Sequence, residues 1–128
     1  MRGSKADIPV LFSPSEGTIR SIEWGGMIAD IGTFQQESDP TAVFRGLPND
    51  RCPVPHWGYI VQGQVRFQFA DREEVYHAGD LFYVPPGHIP MISANTEWVE
   101  FSPAQLYEQT REVMARNIAI IKQQCKLR

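Results

Sequence analysis

The chain is predicted to be all-β, closed by one C-terminal α-helix, on three observations. Short apolar or alternating runs fill the stretch from Ile19 to Phe101, each cut off by Gly, Pro, Asn or Asp. Helical periodicity is confined to the residues that follow Ser102. His56 and His88 each stand at a proline or glycine break beside an apolar strand, which is how a small β-barrel gathers imidazoles from distant parts of a chain.

The elements follow in order. Met1-Arg2-Gly3-Ser4 reads as a leader outside the fold, within an N-terminal arm over residues 1–18. Ile28 to Phe34 is the first clear strand of a barrel spanning 19–101. Gln35 to Pro55 carries Pro40, Gly46, Pro48, Pro53 and Pro55 and is longer than an ordinary connection, a length that marks functional loops. Tyr59-Ile60-Val61 turns at Gly63 into Val65 to Phe69, which alternates apolar and polar as a half-buried strand does. Glu74-Val75-Tyr76 reverses at Ala78-Gly79-Asp80 into Leu81 to Val84, and Pro85-Pro86-Gly87 stops that strand. Glu97 to Phe101 is the last. The helix is expected over 102–125, with Ser102 as N-cap, Pro103 at its first position and Gln105 completing a capping box. Leu106, Val113, Met114, Asn117, Ile118, Ile121 and Cys125 form a stripe that packs on the barrel or on a partner, and Lys122, Lys126 and Arg128 complement the C-terminal dipole.

Composition narrows the function. A chain of 128 residues is expected to be one domain with a real core and no need of disulfides. Fifteen acidic and 12 basic residues give a net charge of −3, and the scattered Lys and Arg argue against a phosphate-tracking surface, so no nucleic-acid partner is expected. No apolar run resembles a signal peptide or membrane span, and Cys52 and Cys125 lie far apart, so the expected setting is reducing and cytoplasmic. No phosphate-binding glycine loop or serine nucleophile elbow is present. Ile8 to Phe12 and the apolar helix side offer surfaces for a homodimer.

Two stretches carry a resemblance. Gly79, Pro85 and Gly87 fall where the second cupin motif has glycine, proline and glycine, and Cys52 to Gly63 resembles the first motif in part. Counting back from Gly63, His56 stands at the motif's glutamate position; its two histidine positions fall on Asp50 and Cys52. The resemblance covers roughly Ile28 to Phe101 and implies a double-sheet jelly roll (a double-stranded β-helix), in a family that holds Fe, Mn, Zn, Ni or Cu and includes dioxygenases, isomerases, lyases and plain ligand binders.

Within that frame His56, His88 and Cys52 form a sensible set for a divalent metal, Zn or Fe, with Asp50 or a water as fourth ligand. Strand parity puts His88 on the same side as Pro90, and pairs Trp98 with Glu100 against Val99 with Phe101. If Trp98 and Glu100 face inward, the carboxylate gains proton affinity and becomes a candidate general acid or base. Tyr59 is a further catalytic candidate, its phenol near the cavity rim. Two function classes result: an enzyme carrying out isomerisation, cyclisation, elimination or oxygenation of a small organic molecule, by metal or by histidine chemistry, and a non-catalytic binding or sensor module using the same pocket.

Overall fold

The computed structural model describes residues 1–126, so Arg128 lies outside the described residues. Nine strands precede one helix: β1 (Val10–Phe12), β2 (Gly17–Trp24), β3 (Met27–Phe34), β4 (His56–Gln62), β5 (Gln64–Gln68), β6 (Glu73–His77), β7 (Leu81–Val84), β8 (Ile89–Ile92), β9 (Thr96–Pro103) and α1 (Ala104–Lys126). They form a six-stranded sheet, ordered β1-β2-β3-β9-β4-β7, and a three-stranded sheet, ordered β6-β5-β8. Every ladder is antiparallel, and short connections join β1 to β2, β2 to β3 and β5 to β6.

Two apolar clusters occupy the space between the layers. Ile60, Val65, Phe67, Phe82, Val84 and Trp98 fill one end. Ile28, Val54, Ile89, Tyr107 and Met114 join the barrel to α1 at the other. The alternation is strict where one face must be wet: in β7, Phe82 and Val84 are buried while Leu81 and Tyr83 are exposed. Phe67, Phe69 and Phe82 are core residues as expected, whereas Tyr83 stands on the outer face.

The long connection from Gln35 to Pro55 is less irregular than its prolines suggest. It folds into two 3₁₀ turns, Thr41–Phe44 and Pro48–Asp50, and buries Phe44 and Leu47 against the helix cluster. Asn117 Nδ2 donates to the carbonyls of Val43 and Arg45 at 2.7 and 2.8 Å, tying α1 to the same segment.

Three expectations are corrected. Ser102 does not cap the helix: it is the buried penultimate residue of β9, and the first helical N–H, that of Ala104, donates to the Gly26 carbonyl of the β2–β3 turn at 3.0 Å. A tertiary carbonyl thus supplies what a capping box would have supplied. Leu106 is exposed, and Ala104, Tyr107, Thr110 and Met114 form the buried face. Paired structure begins earlier than expected, because β1 lies within the N-terminal arm and pairs with β2, while Val10 and Leu11 stay exposed.

Gly32 sits directly opposite Trp98 across the β3–β9 ladder, and a Cβ there would stand 2.3 Å from the indole ring. The buried ring has no room to retreat. Gly32→Ala is expected to cost about 1–3 kcal/mol by overpacking, read as a lower urea midpoint at unchanged slope; an unchanged midpoint would contradict this packing.

Candidate active site

Two backbone contacts bring the motif-bearing segments together. Cys52 N–H donates to the His88 carbonyl at 2.9 Å, and Gly87 N–H donates to the Cys52 carbonyl at 2.8 Å. Gly87, with φ of 96°, is the residue that lets the turn after Pro85-Pro86 close on Cys52. His56 opens β4, inward by the same parity that buries Ile60.

The result is a compact polar cluster. One ligand atom from each of Cys52, His56 and His88 lies within 4.8 Å of the others, and all three residues are buried. His56 Nε2 is 3.7 Å from Cys52 Sγ, and the imidazole rings meet edge-on with centroids 5.0 Å apart. His88 Nδ1 lies 2.8 Å from the Pro85 carbonyl, which can only accept, so Nδ1 carries the proton and Nε2 presents a lone pair. His56 Nδ1 is 2.6 Å from Ser102 Oγ, which holds the ring's orientation from β9.

Burial sets the protonation states. Both imidazoles are pushed down to about 3 by desolvation, with His88 further lowered by His56 and partly restored by the Pro85 carbonyl. They are neutral at physiological pH. Burial pushes the Cys52 thiol up to about 12, so without a bound cation it stays protonated.

Trp98 and Glu100 are the inward pair of β9. Glu100 Oε2 lies 3.9 Å from His56 Nδ1, a contact rather than an ion pair because that imidazole is neutral. Directly opposite Glu100 on β3 stands Asp30, wholly buried, with neither carboxylate oxygen in a hydrogen bond of good geometry. Desolvation, then the charge of Glu100, raises Asp30 to about 7, while the nearby Ser21 and Tyr107 hydroxyls and Arg111 draw it back. Desolvation likewise raises Glu100 to about 7, partly offset by the Trp98 indole. Two facing buried carboxyls keep one proton near neutrality.

A cavity of about 510 Å³ opens from this cluster toward the second half of α1. Phe34, Phe67, Trp98 and Ile92 line its barrel side, Met114 and Ile118 its helix side, and Lys122 and Lys126 stand at the rim. Pro90 lines it too, as its parity with His88 requires. The wall is mostly apolar with a few convergent polar groups at one end, the form of a small-molecule site.

Two candidates lie elsewhere. Tyr59 is on the outward face of β4, because residues three apart in a strand point to opposite sides and His56 takes the inside. Asp50 is exposed, its Oδ1 accepting the Gly46 N–H at 3.0 Å, because left-handed backbone at Asn49 and Asp50 breaks the extended run on which its parity with Cys52 depended. Asp30, Ser102 and Tyr107 are site residues that sequence reasoning missed. Asp30 alone left a trace, a lone acid in the otherwise uncharged strand Met27–Phe34.

Residues 48–97 match the family model described as cupin domain. No curated protein matches the sequence. Among solved structures the fold is similar to an RmlC-like cupin from Shewanella frigidimarina (TM-score 0.55, 15% identity, covering 80% of this chain and 89% of that one). It is similar to KdgF from Halomonas sp. (TM-score 0.54, 16% identity, 80% and 94%) and to FeII HppE (TM-score 0.56, 8% identity, 80% and 59%).

A raised carboxyl pKa makes the folded state bind more protons than the unfolded one, so Asp30 lowers stability as pH climbs from about 4 to 7 and leaves it level above. Asp30→Asn removes that penalty. The variant is expected to exceed the wild type by about 1–3 kcal/mol at pH 8 and to lose most of the advantage at pH 4.5; thermal unfolding at both pH values checks it, and a variant less stable at pH 8 would contradict the assignment. Residues 48–97 match the cupin domain model, and the double-sheet barrel that encloses them has a cupin-like fold.

Proposed function

We propose that this chain is a cupin enzyme acting on a small, largely apolar organic molecule, with Cys52, His56 and His88 holding a divalent metal, Zn or Fe. The observation that carries it is the convergence of three buried donor atoms within 4.8 Å at the closed end of an apolar cavity. The donor set fits such an ion. Two ligands on one zinc stand roughly 3.5 Å apart, close to the 3.7 Å between Cys52 Sγ and His56 Nε2. His88 presents Nε2 because Nδ1 is committed to Pro85, and Ser102 fixes His56 from behind, the outer-shell arrangement that metal-ligating histidines use. Three protein ligands leave a position for substrate. The name FeII HppE of one similar fold is consistent with iron as the ion.

When bound, such an ion would supply Lewis-acid polarisation of a carbonyl or enolate oxygen. The chain's own residues do the rest. Phe34, Phe67 and Trp98 exclude water and orient an apolar body. Glu100, its proton affinity raised by burial, can give or take a proton at near-neutral pH from the cavity side of β9. Isomerisation, cyclisation, elimination and oxygenation all use a proton donor or acceptor placed this way. Cys52 and Cys125 are both free thiols, which supports a cytoplasmic setting, and no helix among the described residues is long and apolar enough to cross a membrane. The working form we propose is a homodimer.

A second reading has its own support. Asp50 and Cys52 stand where the family's first motif has histidines, and Cys52 as a protonated thiol suits a dry wall. On that reading the pocket binds its ligand without turnover; direct base chemistry by His56 is disfavoured, because burial pushes that imidazole down to about 3.

Metal analysis of protein purified without an affinity column separates these. The wild type is expected to carry close to one equivalent of Zn or Fe, and His56→Ala and His88→Ala to lose at least about ten-fold in affinity. Near-zero metal in all three preparations, with the wild type still empty after incubation with either ion, would remove the metal mechanism and favour the second reading.

A further inference from the structure

One ridge of α1 changes character along its length. Met114, Ile118, Lys122 and Lys126 follow one another at four-residue spacing, which sets them on one side of the helix, and all of them line the cavity. The ridge is apolar where it meets the barrel, with Met114 buried, and cationic at the mouth, where Lys122 and Lys126 are exposed. Met114 and Lys122 are separated by about 12 Å at the helical rise. Over that distance the wall passes from hydrocarbon to ammonium.

The two lysines are unpaired. Among the described residues neither forms an ion pair. The helix itself offers no partner, because no acidic residue follows Glu112 and the residues one turn before Lys122 and Lys126 are Ile118 and Lys122. Complementing the helix dipole requires cations in the last turn, but not cations on the ridge that faces the cavity. Like charges one turn apart also repel, so an anion between them relieves a cost that the free protein carries.

The rest of the cavity sets what kind of anion this is. Glu16 and Asp39 share the mouth, Asp39 with its Oδ1 accepting the Thr41 N–H at 3.0 Å, and their charge leaves little net positive potential for a dianion such as a phosphate ester. A single carboxylate suits that balance. At the closed end the same carboxylate would lie beside Glu100, with Asp30 opposite across the ladder, whereas at the mouth it meets two ammonium groups within reach of water.

We propose that the cavity takes an amphipathic carboxylate, its apolar chain or ring packed against Phe34, Phe67 and Trp98 and its carboxylate held at the mouth by Lys122 and Lys126. The proposal rests on the small-molecule reading above and names the substrate class. The group to be transformed then lies at the end of the molecule remote from the carboxylate, facing Cys52, His56 and His88.

Isothermal titration calorimetry on the full chain, with decanoate and decanol as probes at pH 8 and low salt, tests this. Decanoate is expected to bind about ten-fold more tightly than decanol, and only its affinity should fall as salt is raised. Lys122→Gln/Lys126→Gln should weaken decanoate by about ten-fold and leave decanol unchanged, while Glu16→Gln should tighten decanoate about two-fold. Arg116→Gln, exposed and outside the cavity lining, should change neither probe. Ile118→Trp, which crowds the ridge just inside the lysines, should weaken both. Equal affinity for the two probes, or decanoate binding unmoved by the double substitution, would overturn the carboxylate class and leave the small-molecule reading standing. Binding that survives Ile118→Trp would overturn the placement in this cavity. Failure of both probes to bind would overturn the proposal together with the apolar-ligand reading on which it rests.

Discussion

The backbone pairing of Cys52 with His88 is the constraint on which the site depends. It continues the β4–β7 ladder, in which His56 faces Val84, past the prolines on both strands, and so joins the end of the long connection to the turn before β8. Because the peptide groups themselves are engaged, the two side chains project from a fixed frame rather than from separately moving loops. Pro53 and Pro55 then lead the chain into β4 with few conformations to lose, so that His56 arrives against the same pair. A site built this way is preorganised before any ligand enters.

Burial does the electrostatic tuning. The same desolvation that keeps two imidazoles neutral lifts two carboxyls toward neutrality, and the groups are within a few ångströms of one another. Neutral imidazoles keep lone pairs available for a cation. A carboxyl pair holding one proton provides a donor and an acceptor at one pH. The costs of these states are borne by the surrounding packing, in particular by Trp98 seated over Gly32 and by Tyr107 of α1 closing the barrel end.

The barrel was legible because period-two alternation and turn residues are local signals: β4 through β7 and β9 follow directly from runs such as Val65 to Phe69 and the glycines that end them. Two features were not legible, for a common reason. Ser102-Pro103 has the composition of a helix start, yet β3 pairs as far as Pro103 and the Gly26 carbonyl supplies the cap, so a tertiary partner outweighed a local preference. Asp30 lies in a run that reads as ordinary strand, and only the β3–β9 register sets it opposite Glu100. Strand parity grouped Trp98 with Glu100 and His88 with Pro90 without any knowledge of register, and the barrel then sets Trp98, Glu100 and His88 inward. It fails for Asp50, where two left-handed residues break the extended chain, and it sets Tyr59, three residues from His56, on the other face.

The central claim is that one thiolate and two imidazoles meet at a single ion. X-ray absorption spectroscopy on zinc-loaded protein, purified without an affinity tag, tests it most directly. One sulfur scatterer at about 2.3 Å and two imidazole nitrogens at about 2.0 Å are expected, with the sulfur lost in Cys52→Ser. A zinc shell of oxygen and nitrogen alone, unchanged by that substitution, would contradict it.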